Sequence, residues 1–236
     1  MALAHSPKII TDGLVLCLDA GNTKSYNAGI STTAWNDLSG NGNNVTVTNG
    51  PSFSNGEFTL DADAYFGASN NFMGTTDATN VSYSFFMKFN WGTPTGYKTI
   101  FGFQQSGFDR VANFVLNTNQ SELEFDLRSG GTAERDIFNY NMSSYANQTS
   151  LITYTFGSGT HKLYINGNNV STYNGTQTTF PSWSTGTGGF CVGNNLASTR
   201  YLGEGTFSHM MVYLKTLTAS EVQQNYNALK SRFINT

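Results

Sequence analysis

The chain has 236 residues, of which 11% are charged, and its formal net charge is −3. That length buries a substantial core and commonly stays one unit in large β-sandwiches, while the charge excludes the basic footprint of a nucleic-acid binder. Solubility falls to Asn, Ser, Thr and Gly, and the 25 glycines, with Asn-Gly pairs at 41–42, 49–50, 55–56, 166–167 and 174–175, mark the many tight turns of a loop-rich all-β protein.

Residues 1–12 carry Pro7 and little periodicity, so they read as an N-terminal arm lying on the surface or on a partner. Met1 to Lys8 lacks the cationic start and apolar run of an export signal, and nothing later approaches a membrane span. Leu14, Leu16 and Leu18 alternate with Val15 and Cys17, a strand with two apolar faces. Asp19-Ala20-Gly21-Asn22 ends it. After Trp35, the cluster Asp37-Leu38-Ser39-Gly40-Asn41-Gly42-Asn43-Asn44 must form turns. Val45 and Val47 start a short strand, and Phe58 and Leu60 lead into Asp61-Ala62-Asp63-Ala64-Tyr65-Phe66.

Tyr83, Phe85, Met87 and Phe89 then face one way along a strand. Ile100-Phe101-Gly102-Phe103 and Phe114-Val115-Leu116 read as neighbouring strands. Leu123, Phe125 and Leu127 alternate with Glu122, Glu124, Asp126 and Arg128, a clean inside/outside pattern. Ile152, Tyr154 and Phe156 give another strand. Leu163-Tyr164-Ile165 meets Asn166-Gly167, a strong hairpin signal. Phe190 and Val192 come next, followed by the closing strand at residues 207–214. Thr218-Ala219-Ser220-Glu221 has the spacing of a capping box. Val222, Tyr226, Leu229 and Phe233 then recur on one face of a helix. Short strands, no βαβ spacing and one terminal helix predict an all-β, two-sheet antiparallel sandwich with one short C-terminal α-helix. Cys17 and Cys191 sit in apolar runs and are expected to be buried free thiols.

Two stretches near the start, residues 13–22 and Trp35-Asn36-Asp37-Leu38-Ser39-Gly40-Asn41-Gly42-Asn43-Asn44, resemble the opening of laminin-G-like, concanavalin A-type jelly-roll domains. Leu163-Tyr164-Ile165-Asn166-Gly167 resembles their central hairpin, and residues 212–213 and 217–227 their closing strand and helix. The resemblance runs from about residue 9 to 233 and implies a jelly roll over 13–236 behind the arm at 1–12. With the opening His5-Ser6-Pro7-Lys8-Ile9-Ile10-Thr11-Asp12-Gly13, it is similar to virion structural proteins of tailed phages, marine ones especially. That likeness implies a non-catalytic decoration or fibre component. It would be made in the host cytoplasm and held on the outer virion surface by other virion proteins and copies of itself, with no nucleic acid or membrane partner.

Two departures from the family bear on its sites. Where relatives carry paired aspartates before Tyr, this chain has Asp61-Ala62-Asp63-Ala64-Tyr65, so one acid of the calcium-binding pair is missing. Near the end, Met211 and Leu214 stand where relatives have polar residues, and they are expected to be covered by a neighbour. His5, Pro7, Ile9, Met211 and Leu214 are therefore the expected partner interface.

Glu122, Glu124 and Asp126 alternate along one strand, about 7 Å apart, a spacing that glycosidic carboxylates can use. Their order differs from that of laminarinase-type glucanases, and a solvated sheet face is the default reading. Asp61 and Asp63 offer oxygens to calcium or cap turns. No other cofactor is implied. Trp91 and Trp183 offer indoles that stack on sugars in a glycan-binding reading, while Trp35 is expected to be structural. His5, His161 and His209 lack zinc-ligand spacing.

Overall fold

Period-two alternation commits much of the chain to strands that bury one face, and tight two-residue turns join several of them. The computed structural model describes residues 8–61, 64–68, 78–89, 97–104, 111–117, 121–129, 132–134, 137–180, 189–193 and 204–233. In chain order the strands are β1 (Leu14–Asp19), β2 (Ala34–Trp35), β3 (Val45–Thr48), β4 (Ser52–Ser54), β5 (Glu57–Asp61), β6 (Tyr65–Ala68), β7 (Asn80–Phe89) and β8 (Tyr97–Gln104). They continue as β9 (Val111–Asn117), β10 (Glu122–Ser129), β11 (Thr132–Glu134), β12 (Asn139–Asn141), β13 (Ser150–Gly157), β14 (Thr160–Ile165), β15 (Asn168–Asn174), β16 (Gly189–Val192) and β17 (Glu204–Tyr213). Helix α1 spans Ala219–Phe233.

Among the described residues these strands form two antiparallel sheets. The first runs β15-β14-β13-β7-β17-β5-β4, with β1 also paired to β17; the second runs β11-β10-β9-β8-β16-β6-β3-β2, with β12 also on β10. Asn166 and Gly167 both take positive φ (51° and 84°) between β14 and β15, as the Asn-Gly hairpin predicts. Ser158 and Gly159 make the same kind of turn between β13 and β14. Strand β17 pairs along its length with β7. On its other edge it takes β5 over residues 204–207 and β1 over residues 209–213, with a bulge between Phe207 and His209 where the partners change.

Between the sheets lies an aromatic core. Phe114 packs on Phe125 at 4.6 Å between ring centroids and on Phe101 at 4.8 Å, and Phe125 packs on Tyr154 at 4.4 Å. Trp35 is fully buried among Phe58, Phe66 and Phe207, the structural role expected of it. Asp37 organises the turn cluster after it. Its carboxylate accepts from the backbone N–H of Cys17 (2.8 Å), Ser39 (2.8 Å) and Asn43 (3.1 Å), which fastens the loop to β1.

A second apolar cluster lies on the outer face of the first sheet, where α1 covers Cys17, Phe86, Leu151, Tyr164, Met211 and Tyr213. The capping box forms as predicted: Thr218 N donates to Glu221 Oε2 at 2.8 Å and Glu221 N to Thr218 Oγ1 at 3.3 Å. Val222, Leu229 and Phe233 point inward. Asn225, rather than Tyr226, takes the central buried position, because its amide donates to Tyr213 Oη (3.0 Å) and accepts from Ile10 N (2.8 Å). Tyr226 is half-buried at the rim, with Lys230 Nζ 5.3 Å from its ring centroid.

These contacts correct the reading of Met211 and lay the described part of the arm on the chain's own surface. Residues 8–12 are tied to the chain's own helix: Tyr213 Oη donates to Ile10 O (3.1 Å), Gln224 Nε2 to Lys8 O (2.7 Å), and Ile9 and Ile10 pack on the cluster beneath α1. Ile9, half-buried, is thus engaged by an element more than 200 residues away in sequence. Met211 is 0% exposed because α1 itself covers it. Leu214 is 39% exposed, and His5 and Pro7 lie outside the described residues. The two cysteines are free and buried, as expected. Cys17 lies beneath α1, where burial foremost, then the Asp19 and Asp37 charges, pushes its thiol up to about 12. Cys191 belongs to the opposite sheet.

Candidate functional site on the second sheet

Leu123, Phe125 and Leu127 of β10 and Ala112, Phe114 and Leu116 of β9 fill the core. Alternation therefore sends Glu122, Glu124, Asp126, Asn113 and Asn117 to the outer face of the second sheet. The register aligns Asp126 with Asn113, Asn113 with Gly102, Gly102 with Cys191, and Cys191 with Gly67, one row across β10, β9, β8, β16 and β6. A neighbouring row joins Glu124, Val115 and Thr99. Gly102 and Gly67 keep the middle of the first row low. The Asn113 side chain lies across Gly102, so a Cβ there would collide with Asn113 Oδ1.

This is not the solvated sheet face that alternation predicts. Glu124 is 6% exposed, Asn113 7%, Asn117 3% and Thr99 0%. Period two fixes which side a residue points to and is silent about what lies over that side. Glu124 Oε1 accepts a hydrogen bond from Asn117 Nδ2 at 2.8 Å, a diagonal contact between β10 and β9. Asn113 Oδ1 and Thr99 Oγ1 are buried and find no hydrogen-bond partner among the described residues. An unsatisfied buried polar group costs about 1–3 kcal/mol, so each such group in a folded protein calls for an explanation. We call this enclosed row of amide, hydroxyl and carboxylate groups the trough; two of its acceptor atoms are unspent among the described residues.

A cleft of about 420 Å³ on the first sheet, beside the start of α1, is lined by Thr155, Lys162, Tyr164 and Thr216 among others. Its hydroxyls are employed internally: Thr216 Oγ1 donates to Asn80 Oδ1 (2.8 Å) and Thr160 Oγ1 to Asn174 Oδ1 (3.2 Å). Polar capacity left over distinguishes the trough from this cleft.

Sequence reasoning singled out Glu122, Glu124 and Asp126 and missed Asn113, Asn117, Thr99 and Gly102. The available signal was Asn113 and Asn117 on one face of one strand, since Asn is depleted in strands. Of the residues expected to bind glycan or calcium, Trp91, Trp183 and Asp63 lie outside the described residues, as does the side chain of Asp61 at the end of β5. Among the described residues, no three His, Cys, Asp or Glu side chains come together to hold a metal ion. No described helix is long and apolar enough to cross a membrane.

The family described as the concanavalin A-like lectin/glucanases superfamily matches residues 60–223, a span that includes β7–β10 and the trough. No curated protein matches the chain. Among solved structures, the chain is similar to the receptor-binding domain of botulinum neurotoxin C/D mosaic serotype. The TM-score is 0.70 and the identity 18%, over 93% of this chain and 52% of that one. The botulinum neurotoxin serotype D binding domain aligns with a TM-score of 0.68 at 18% identity, over 93% and 53%. Trypanosoma rangeli sialidase aligns with a TM-score of 0.64 at 12% identity, over 93% and 33%. The chain thus spans about half the length of the toxin domains and a third of the sialidase, and at these identities the likeness is one of fold.

Proposed function

This chain belongs to the concanavalin A-like lectin/glucanases superfamily, and on that premise we propose that it is a non-catalytic, lectin-like module that binds glycans in the trough of its second sheet. The observation that carries the reading is the pair of unspent buried acceptors, Asn113 Oδ1 and Thr99 Oγ1, beside the Asn117–Glu124 hydrogen bond. Ligand pockets place a small number of polar groups to fix orientation, and sugar hydroxyls both donate to such acceptors and accept from amide N–H groups. Glycoside hydrolysis needs one carboxyl to give a proton while a second acts across the bond. Here the Asn117 amide N–H makes Glu124 Oε1 an acceptor, which favours a binding role for this carboxylate.

A glycan array probed with and without calcium tests the proposal. Retention of a defined set of oligosaccharides, without release of reducing sugar from them, is the expected result. Hydrolysis abolished by Glu124→Gln would replace it with a glucanase. The second reading concerns where the module works. The likeness of residues 5–13 to phage virion proteins and the charge-poor, Asn- and Gly-rich composition favour a component of a virion's outer surface. Mass spectrometry of purified particles detects the chain at stoichiometric copy number on that reading; its absence from particles would remove it.

A further inference from the structure

His209 lies on the sheet opposite the trough, beside the bulge at which β17 exchanges β5 for β1. The bulge aims the ring outward, beneath the end of α1. His209 is 2% exposed, and among the described residues neither ring nitrogen has a hydrogen-bond partner. Its ring centroid is 5.5 Å from that of Phe233 on α1 and 6.4 Å from that of Phe86 on β7. From β1 it faces Asp19, its cross-strand partner, with Cys17 next along the same face. From α1 comes Arg232, whose guanidinium grips both Asp19 oxygens at 2.7 and 3.0 Å. Glu57, at the start of β5, lines the small cleft beside Arg232 and Phe233.

We propose that His209 is an acid-operated latch on the C-terminal helix: protonated, it releases α1 and uncovers the apolar outer face of the first sheet. A proton on the ring would place a cation between two phenyl rings and next to Arg232. The carboxylate that faces it across the strands, Asp19, is already committed to that arginine. The imidazolium therefore gains a partner only by breaking the Arg232–Asp19 fork that holds down the last turn of α1. Burial foremost, with Arg232 acting in the same direction and Asp19 against it, lowers the histidine from 6.5 to about 4. Between these values the open form binds more protons than the closed form. The closed form is thus fully stable above this window and loses stability as pH falls through it. At the other end of α1, Lys215 and the Thr218 N–H hold the Glu221 carboxyl below its ordinary range. The same two contacts hold the capping box closed as long as that carboxyl stays ionised.

The test compares the intact chain with His209→Phe at pH 7, 5 and 4. Hydrogen exchange of α1 is corrected for its intrinsic pH dependence and read beside β13 and β14, while 4,4′-dithiodipyridine, which reacts in acid, reports Cys17. Opening of α1 relative to the strands rises on the order of a hundred-fold by pH 4 in the native chain. Cys17 then reacts while Cys191 stays protected, and His209→Phe abolishes both changes. Should that variant fail to fold, His209→Gln takes its place. A helix still protected at pH 4, a helix that opens only together with β13 and β14, or an unchanged acid response in the variant would each overturn the proposal.

Discussion

Asn113 carries the reading of the trough. A side chain kept for stability should satisfy its own hydrogen bonds, and its amide oxygen finds no partner among the described residues. Asn113→Ala is therefore expected to leave stability unchanged or to raise it by up to about 1 kcal/mol, since it removes an unsatisfied buried acceptor. Gly102 is constrained by the same side chain. Gly102→Ala would thrust a methyl group into Asn113 Oδ1 and is expected to cost about 1–3 kcal/mol, the usual range for overpacking. If that collision is the cause, the double variant with Asn113→Ala recovers most of the loss, and urea unfolding of the four proteins measures the coupling. An additive double variant would place the strain elsewhere.

Strand β17, helix α1, strand β1 and the arm at residues 8–12 act together, although the first and last of them are separated by almost the whole chain. The arm is bonded to Tyr213, Gln224 and Asn225. Deleting residues 2–10 should then lower unfolding free energy by about 2–4 kcal/mol, from lost hydrogen bonds and two partly buried isoleucines. A denaturant midpoint unchanged by the deletion would contradict this docking. Thr218→Ala removes the hydroxyl that caps α1 and should cost about 1 kcal/mol. The capping box and the inward Val222, Leu229 and Phe233 were legible because they follow local rules of spacing. Asn225 was not, because its position inside depends on Tyr213 and on Ile10 from the far end of the chain. Met211 was misread for the same reason: an apolar residue in place of a polar one signals a cover and does not say whose.

Across the whole molecule, the strand pattern, the turn chemistry and the terminal helix were enough to predict two antiparallel sheets with one helix. What periodicity could not supply was the difference between their outer faces. One is sealed by α1 over an apolar cluster, and the other holds enclosed amides and carboxylates. The row Asp126, Asn113, Gly102, Cys191 and Gly67 is assembled from five strands by register alone. Register depends on pairings that no single stretch of sequence encodes. On the proposed reading, this division gives the two faces separate work, closure on the first sheet and binding on the second. Titration calorimetry of the strongest array ligand against the native chain and Asn113→Ala, with melting curves of both, tests that division most directly. Affinity should fall at least about tenfold, the loss of one good hydrogen bond, while the melting temperature holds or rises. Equal affinity in the two proteins, or a native chain that retains no glycan at all, would contradict it.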